Sequence, residues 1–111
     1  MKGKNGLEDL KKQVEDLSLE MRNVNFALRG TIWKHYMKCG NARCKCHADP
    51  PALHGPYYDW SRKVKGKTVN IRLSKGEAEV LEGWIENMKR LEKALREIEA
   101  LSIRAAGLIR K

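Results

Sequence analysis

The sequence predicts an α+β protein: a long antiparallel, coiled-coil-like helical hairpin with a small three-stranded antiparallel sheet at its tip, stabilised there by zinc. Three observations predict it. Two segments, 7–28 and 75–108, repeat apolar residues at alternating steps of three and four. Between them, residues 29–74 alternate β-branched and aromatic side chains with polar ones. All three cysteines fall within eight positions, from Cys39 to Cys46, and His47 and His54 follow at once. At 111 residues the chain reads as one domain with a modest core. A core of that size calls for a staple, a metal or a partner chain.

In the first segment the stripe is Leu7, Leu10, Val14, Leu17, Met21, Val24 and Leu28. Its 3,4 rhythm is a heptad seam rather than a broad amphipathic face. Asn5, three residues before Glu8, is the expected N-terminal cap, and Gly30 the expected stop. At 1.5 Å per residue this helix is expected to run roughly 33 Å. The last segment opens on Ser74-Lys75-Gly76-Glu77, a capping-box pattern. Its stripe is Leu81, Trp84, Met88, Leu91, Leu95, Ile98, Ser102, Ala105 and Ile109. Neither helix can bury its seam alone, so the two are expected to pair. The longer one is expected to overhang, offering Ser102, Ala105 and Ile109 to a second subunit or a larger protein.

The middle segment reads as three strands. Thr31 to Lys38 is the first, the run holding Tyr58, Trp60 and Val64 the second, and Val69, Ile71 and Leu73 mark the third. Lys65-Gly66-Lys67 is a short hairpin turn in which Gly66 can take a positive φ. Asp49-Pro50-Pro51 and Gly55-Pro56 mark the loop carrying the metal residues.

Zinc favours thiolate and imidazole donors, and four protein ligands close a structural site. Cys39, Cys44 and Cys46 supply three, and either His54 or His47 the fourth. His54 is preferred: His47 adjoins Cys46 and points away if the backbone there is extended, whereas seven intervening residues let His54 return. A redox pair would want Cys-x-x-Cys before a helix, and catalytic zinc would show the glutamate of a deaminase or protease motif. Residues 29–74 contain no glutamate. The expectation is one structural zinc ion and no enzyme.

Charge is segregated. Residues 1–28 carry five Lys/Arg against five Asp/Glu, residues 76–111 seven against seven, and residues 29–75 eleven against Asp49 and Asp59 alone. The whole net charge of +9 therefore lies in the cysteine-bearing stretch. One-sided charge of this size attracts polyanions. The candidate nucleic-acid contacts are Lys34, Lys38, Arg43, Lys45, Arg62, Lys63, Lys65, Lys67 and Arg72, with Tyr57 as an aromatic contact. Trp33, Tyr36, Tyr58 and Trp60 are expected in the sheet's small core. The rival reading is an adaptor that dimerises or docks through its helices, its zinc purely structural. No apolar run approaches the roughly 20 residues that cross a bilayer, and the N-terminus lacks a signal-peptide core. With three cysteines and no sign of export, a reduced, cytoplasmic setting is expected.

The stretch Gly30-Thr31-Ile32 through Lys38-Cys39-Gly40, with Cys44-Lys45-Cys46, Asp49-Pro50-Pro51, His54-Gly55-Pro56-Tyr57-Tyr58 and Gly66-Lys67, resembles an uncharacterised family of small prokaryotic proteins. That family is a domain of unknown function often encoded near transposable elements. The resemblance covers about residues 29–100. It implies that Cys39, Cys44, Cys46 and His54 act as one unit, with His47 outside it. It supplies no activity.

Overall fold

The structure is a computed structural model that describes residues 2–110, with side chains from Gly6 to Arg110. Five main elements follow one another: helix α1 (Lys2–Met21), strands β1 (Thr31–Met37), β2 (His54–Val64) and β3 (Lys67–Leu73), and helix α2 (Lys75–Ile109). The α+β class is as expected. The chain divides into two compact units, one of residues 28–85 and one formed by residues up to 27 together with those from 86 onward. Among the described residues no helix is long and apolar enough to cross a membrane.

In the helical unit, α1 and the later part of α2 run antiparallel. Gly6 lies beside Leu108, Leu17 shares a cleft with Leu101, and Met21 and Val24 share one with Leu91 and Ala94. Leu10 and Ala94 are buried at this contact. Two expectations change here. α1 already includes Asn5, so that residue is not its cap, and α1 ends at Met21 rather than at Gly30. The last turn tightens through Arg22 N–H to Leu19 O (3.2 Å) and Val24 N–H to Met21 O (3.2 Å). The chain then continues without helix because other groups take over its polar atoms. The Asn87 side-chain amide donates to Phe26 O (2.8 Å) and to Asn25 Oδ1 (3.1 Å). Val24 and Leu28 still bury part of their surface, but from non-helical chain.

The overhang is absent among the described residues, because α1 starts early enough for Gly6 to reach Leu108. The stripe on α2 holds at Leu81, Trp84, Met88, Leu91, Ile98 and Ala105, all half-buried, and fails at Leu95, Ser102 and Ile109. Ala94 is buried and Leu101 half-buried, whereas Leu95 is 55% exposed and Ser102 exposed. A straight helix has 3.6 residues per turn, so a strict seven-residue repeat drifts by roughly 20° per heptad, and one row of the stripe turns outward along α2 while the other stays half-buried. The Ser102 hydroxyl instead donates to Ile98 O of its own helix (2.7 Å).

In the sheet unit the strand order is β1-β2-β3, all antiparallel. Val64 pairs with Lys67, leaving Lys65 and Gly66 as a two-residue turn with φ of 51° and 82°. Two consecutive positive φ values are the hairpin geometry whose twist matches the strands. Successive strand residues alternate faces, so the pairing register sorts the sheet into two sides. One side holds Ile32, Tyr58, Trp60, Val69, Ile71 and Leu73. The start of α2 covers it: Ala78 and Ile85 are buried, and Ala78 shares a cleft with Ile32 and Tyr58. The capping box forms as expected, with Ser74 N–H donating to Glu77 Oε1 (2.8 Å) and Glu77 N–H to Ser74 Oγ (3.1 Å). The hydrogen bond from the Ser74 backbone holds the Glu77 carboxyl below its ordinary range. The other side of the sheet, with Trp33, His35, Tyr57, Asp59 and Arg72, is open.

Candidate metal centre

The loop between β1 and β2 is built from short local turns. Asn41 makes the first: its side-chain Oδ1 accepts from Arg43 N–H (3.0 Å) and its carbonyl from Cys44 N–H (3.0 Å), turning Cys44 back toward Cys39. A 3₁₀ turn over Lys45–His47 follows, closed by His47 N–H to Cys44 O (3.0 Å) and Ala48 N–H to Lys45 O (3.0 Å). It drives Cys46 inward until the residue is fully buried. Ala52 N–H then donates to Lys45 O (3.0 Å), folding the Pro50-Pro51 segment back so that His54, the first residue of β2, arrives beside Cys44. Gly55 comes next with φ 131°, and a Cβ there would stand 2.9 Å from His35 O. Only glycine can let the chain pass the irregular pairing between His35 and Met37 at this point.

One donor atom from each of Cys39, Cys44, Cys46 and His54 lies within 4.8 Å of the others. The four residues form a candidate metal site, and they are the expected set. Cys39 Sγ is 3.6 Å from Cys46 Sγ, and Cys44 Sγ is 3.2 Å from His54 Nε2. Sulfurs sharing a tetrahedral ion at ~2.3 Å stand ~3.8 Å apart, so the observed spacing fits a common ion. Disulfide sulfurs would be ~2.05 Å apart, and all three thiols are free. Cys39, Cys44 and His54 are half-buried around the buried Cys46.

The electrostatics favour thiolate at the edge of the cluster. A hydrogen bond from the Cys46 backbone, helped by contacts to the Cys46 and His54 side chains, lowers the Cys44 thiol to about 6. Burial pushes the Cys46 thiol up, opposed by Cys39 N–H donating to its Sγ (3.3 Å). His47 stands apart from the four. Its Nε2–H donates to the Cys39 carbonyl (2.7 Å), bracing the loop from outside. The backbone at His47 is a 3₁₀ turn, not extended. At three residues per turn, neighbouring side chains diverge by about 120°, which separates His47 from Cys46.

The candidate nucleic-acid residues are distributed over several surfaces. Lys63, Lys65 and Lys67 come together at the β2–β3 hairpin end. Lys38, Arg43 and Lys45 sit on or beside the cysteine loop. Lys34 lies on the covered side of the sheet, lining a cleft with Glu79 and Glu82. Arg62 caps the Trp60 ring, 4.5 Å from its centroid, and Arg72 caps Tyr57 at the same distance on the open side. Trp33 and Tyr36, expected in the core, are 60% and 52% exposed. His35 and Asp59 escaped notice as a pair because 24 residues separate them, yet the register places His35 Nε2 2.5 Å from Asp59 Oδ2. Their signal was the period-two spacing with Trp33 and Tyr57.

The family model for Domain of unknown function (DUF6788) matches residues 5–82. The chain belongs to that family. The match takes in most of α1, the cysteine loop and the whole sheet, and ends within α2. The comparisons with curated proteins and with solved structures returned no match.

Proposed function

We propose that this chain is a non-enzymatic, zinc-stabilised nucleic-acid-binding protein acting through its basic sheet unit. The carrying observation is the coincidence of a closed Cys₃His donor set with the segment that holds the whole net charge of +9. Four protein ligands leave no open position for substrate, which is the pattern of a structural ion. Three thiolates with one zinc ion carry a net −1, and Lys38, Arg43 and Lys45 offset it. The remaining cations, led by Lys63, Lys65 and Lys67, are then available to phosphates. The setting we propose is cytoplasmic, where thiols stay reduced, in a nucleoprotein complex such as a mobile element forms. The family resemblance supports that setting.

Metal analysis of the purified protein, with a gel shift across a salt series, tests this. We expect one zinc per chain and a log affinity that falls linearly with log salt. Replacing Lys63, Lys65 and Lys67 together with Ala should make the slope shallower by about 2 to 3. An unchanged slope would discard the hairpin contact. The adaptor reading has one observation in its favour, the exposure of Leu95, Ile103 and Ile109 on α2. Helical self-association without any polyanion affinity would select it.

A further inference from the structure

The open side of the sheet carries an aromatic and cationic network unrelated to the metal ligands. Trp33 stacks on His35 with ring centroids 4.0 Å apart and planes inclined by 16°. His35 donates to Asp59 Oδ2, and Arg72 Nε donates to Asp59 Oδ1 (2.7 Å). The Arg72 guanidinium lies over the Tyr57 ring, and Tyr57 stands 5.9 Å from His35. The carboxylate that ties these groups together is withdrawn, its side chain only 15% exposed, while that of Arg72 is 51% exposed. The network therefore presents a stacked indole that is 60% exposed and a positioned guanidinium to solvent.

We infer that this face is a stacking platform for single-stranded nucleic acid, with an unpaired base seated on Trp33 and Arg72 beside the adjoining backbone. The inference rests on the nucleic-acid reading above and narrows it to unpaired strands. An indole already stacked and held on one side receives a flat ring on the other with little further ordering. Bases inside a duplex cannot reach it, whereas those of a single strand can. The rest of the face is Thr31, Ser61, Lys63, Thr68 and Asn70, with no aliphatic side chain at the open-side positions of β1 from Thr31 to His35 or at those of β3. A hydrophobic protein partner would want such side chains. The face itself carries Lys63 and Arg72 against Asp59, whose carboxylate is already engaged, and this leaves cationic character that suits a polyanion.

The experiment uses the full zinc-loaded chain and fluorescence anisotropy at low salt. Probes are oligothymidylate, oligouridylate and an abasic deoxyribose-phosphate strand, each about 12 nucleotides long. Wild-type protein should bind the base-bearing strands more tightly than the abasic one. Trp33→Ala should weaken base-bearing strands about tenfold or more and leave the abasic affinity and zinc content unchanged, and Trp33→Phe should restore most of the loss. Equal affinity for base-bearing and abasic strands, or no effect of Trp33→Ala, overturns the platform while leaving phosphate binding standing. Absence of binding to any strand or duplex overturns the nucleic-acid reading itself.

Discussion

Removing the metal should melt the sheet unit well before the paired helices. An ion held by the four candidate ligands would tie Cys39 to His54, closing a loop of 16 residues counted inclusively. A cross-link around a loop of that size stabilises by about 3 kcal/mol on chain-entropy grounds. The sheet unit spans residues 28–85, a size at which each kcal/mol moves the midpoint by about 4–8 °C. Chelation should therefore lower its melting temperature by roughly 12–24 °C. The assay is a thermal melt with and without excess chelator, followed by tryptophan fluorescence. Trp33, Trp60 and Trp84 all lie in this unit, so the signal reports on it and not on the helix pair. Far-ultraviolet circular dichroism, dominated by α1 and α2, should change little on chelation at 20 °C or so. A shift of under about 2 °C in a sample that had contained stoichiometric zinc would refute the clamp, because the loop would then be held by its own turns.

Other outcomes follow from single contacts. Gly55→Ala should lower both zinc retention and stability, since the new Cβ meets His35 O and the backbone φ is unfavourable for alanine; zinc release to a chromophoric chelator measures it, and wild-type retention would refute the role of Gly55. Arg72, and then His35, hold the Asp59 carboxyl below its ordinary 3.8. A depressed carboxyl contributes stability above that ordinary value, and the contribution fades as pH falls through the lower folded value. The stability gap between wild type and Asp59→Asn should accordingly shrink as pH falls below about 4; denaturant melts at several pH values decide this. Ser74→Ala removes an N-cap hydroxyl that accepts from Glu77 N–H and should cost about 1 kcal/mol in the same melts.

Features set by near neighbours were legible before any fold was known. The candidate metal site is an example, because Cys39, Cys44 and Cys46 lie so close that short turns alone bring their sulfurs together. The capping box at Ser74 and Glu77 and the turn at Lys65 and Gly66 are likewise interactions between residues at most three apart. Tertiary structure decided what depends on distant partners. It ended α1 at Met21 by offering Asn87 to Phe26 and the Trp84 carbonyl to Leu28 N–H. It chose Ala94 and Leu101 over Leu95 and Ser102, since the phase of a helix face is set by the surface it meets and not by a seven-residue repeat. It set His47 apart from the cluster by giving its Nε2–H the Cys39 carbonyl, eight residues back. It also gathered Trp33, His35, Tyr57, Asp59 and Arg72, which strand register alone can do, because alternation assigns a side chain to a face but pairing decides which neighbours share it.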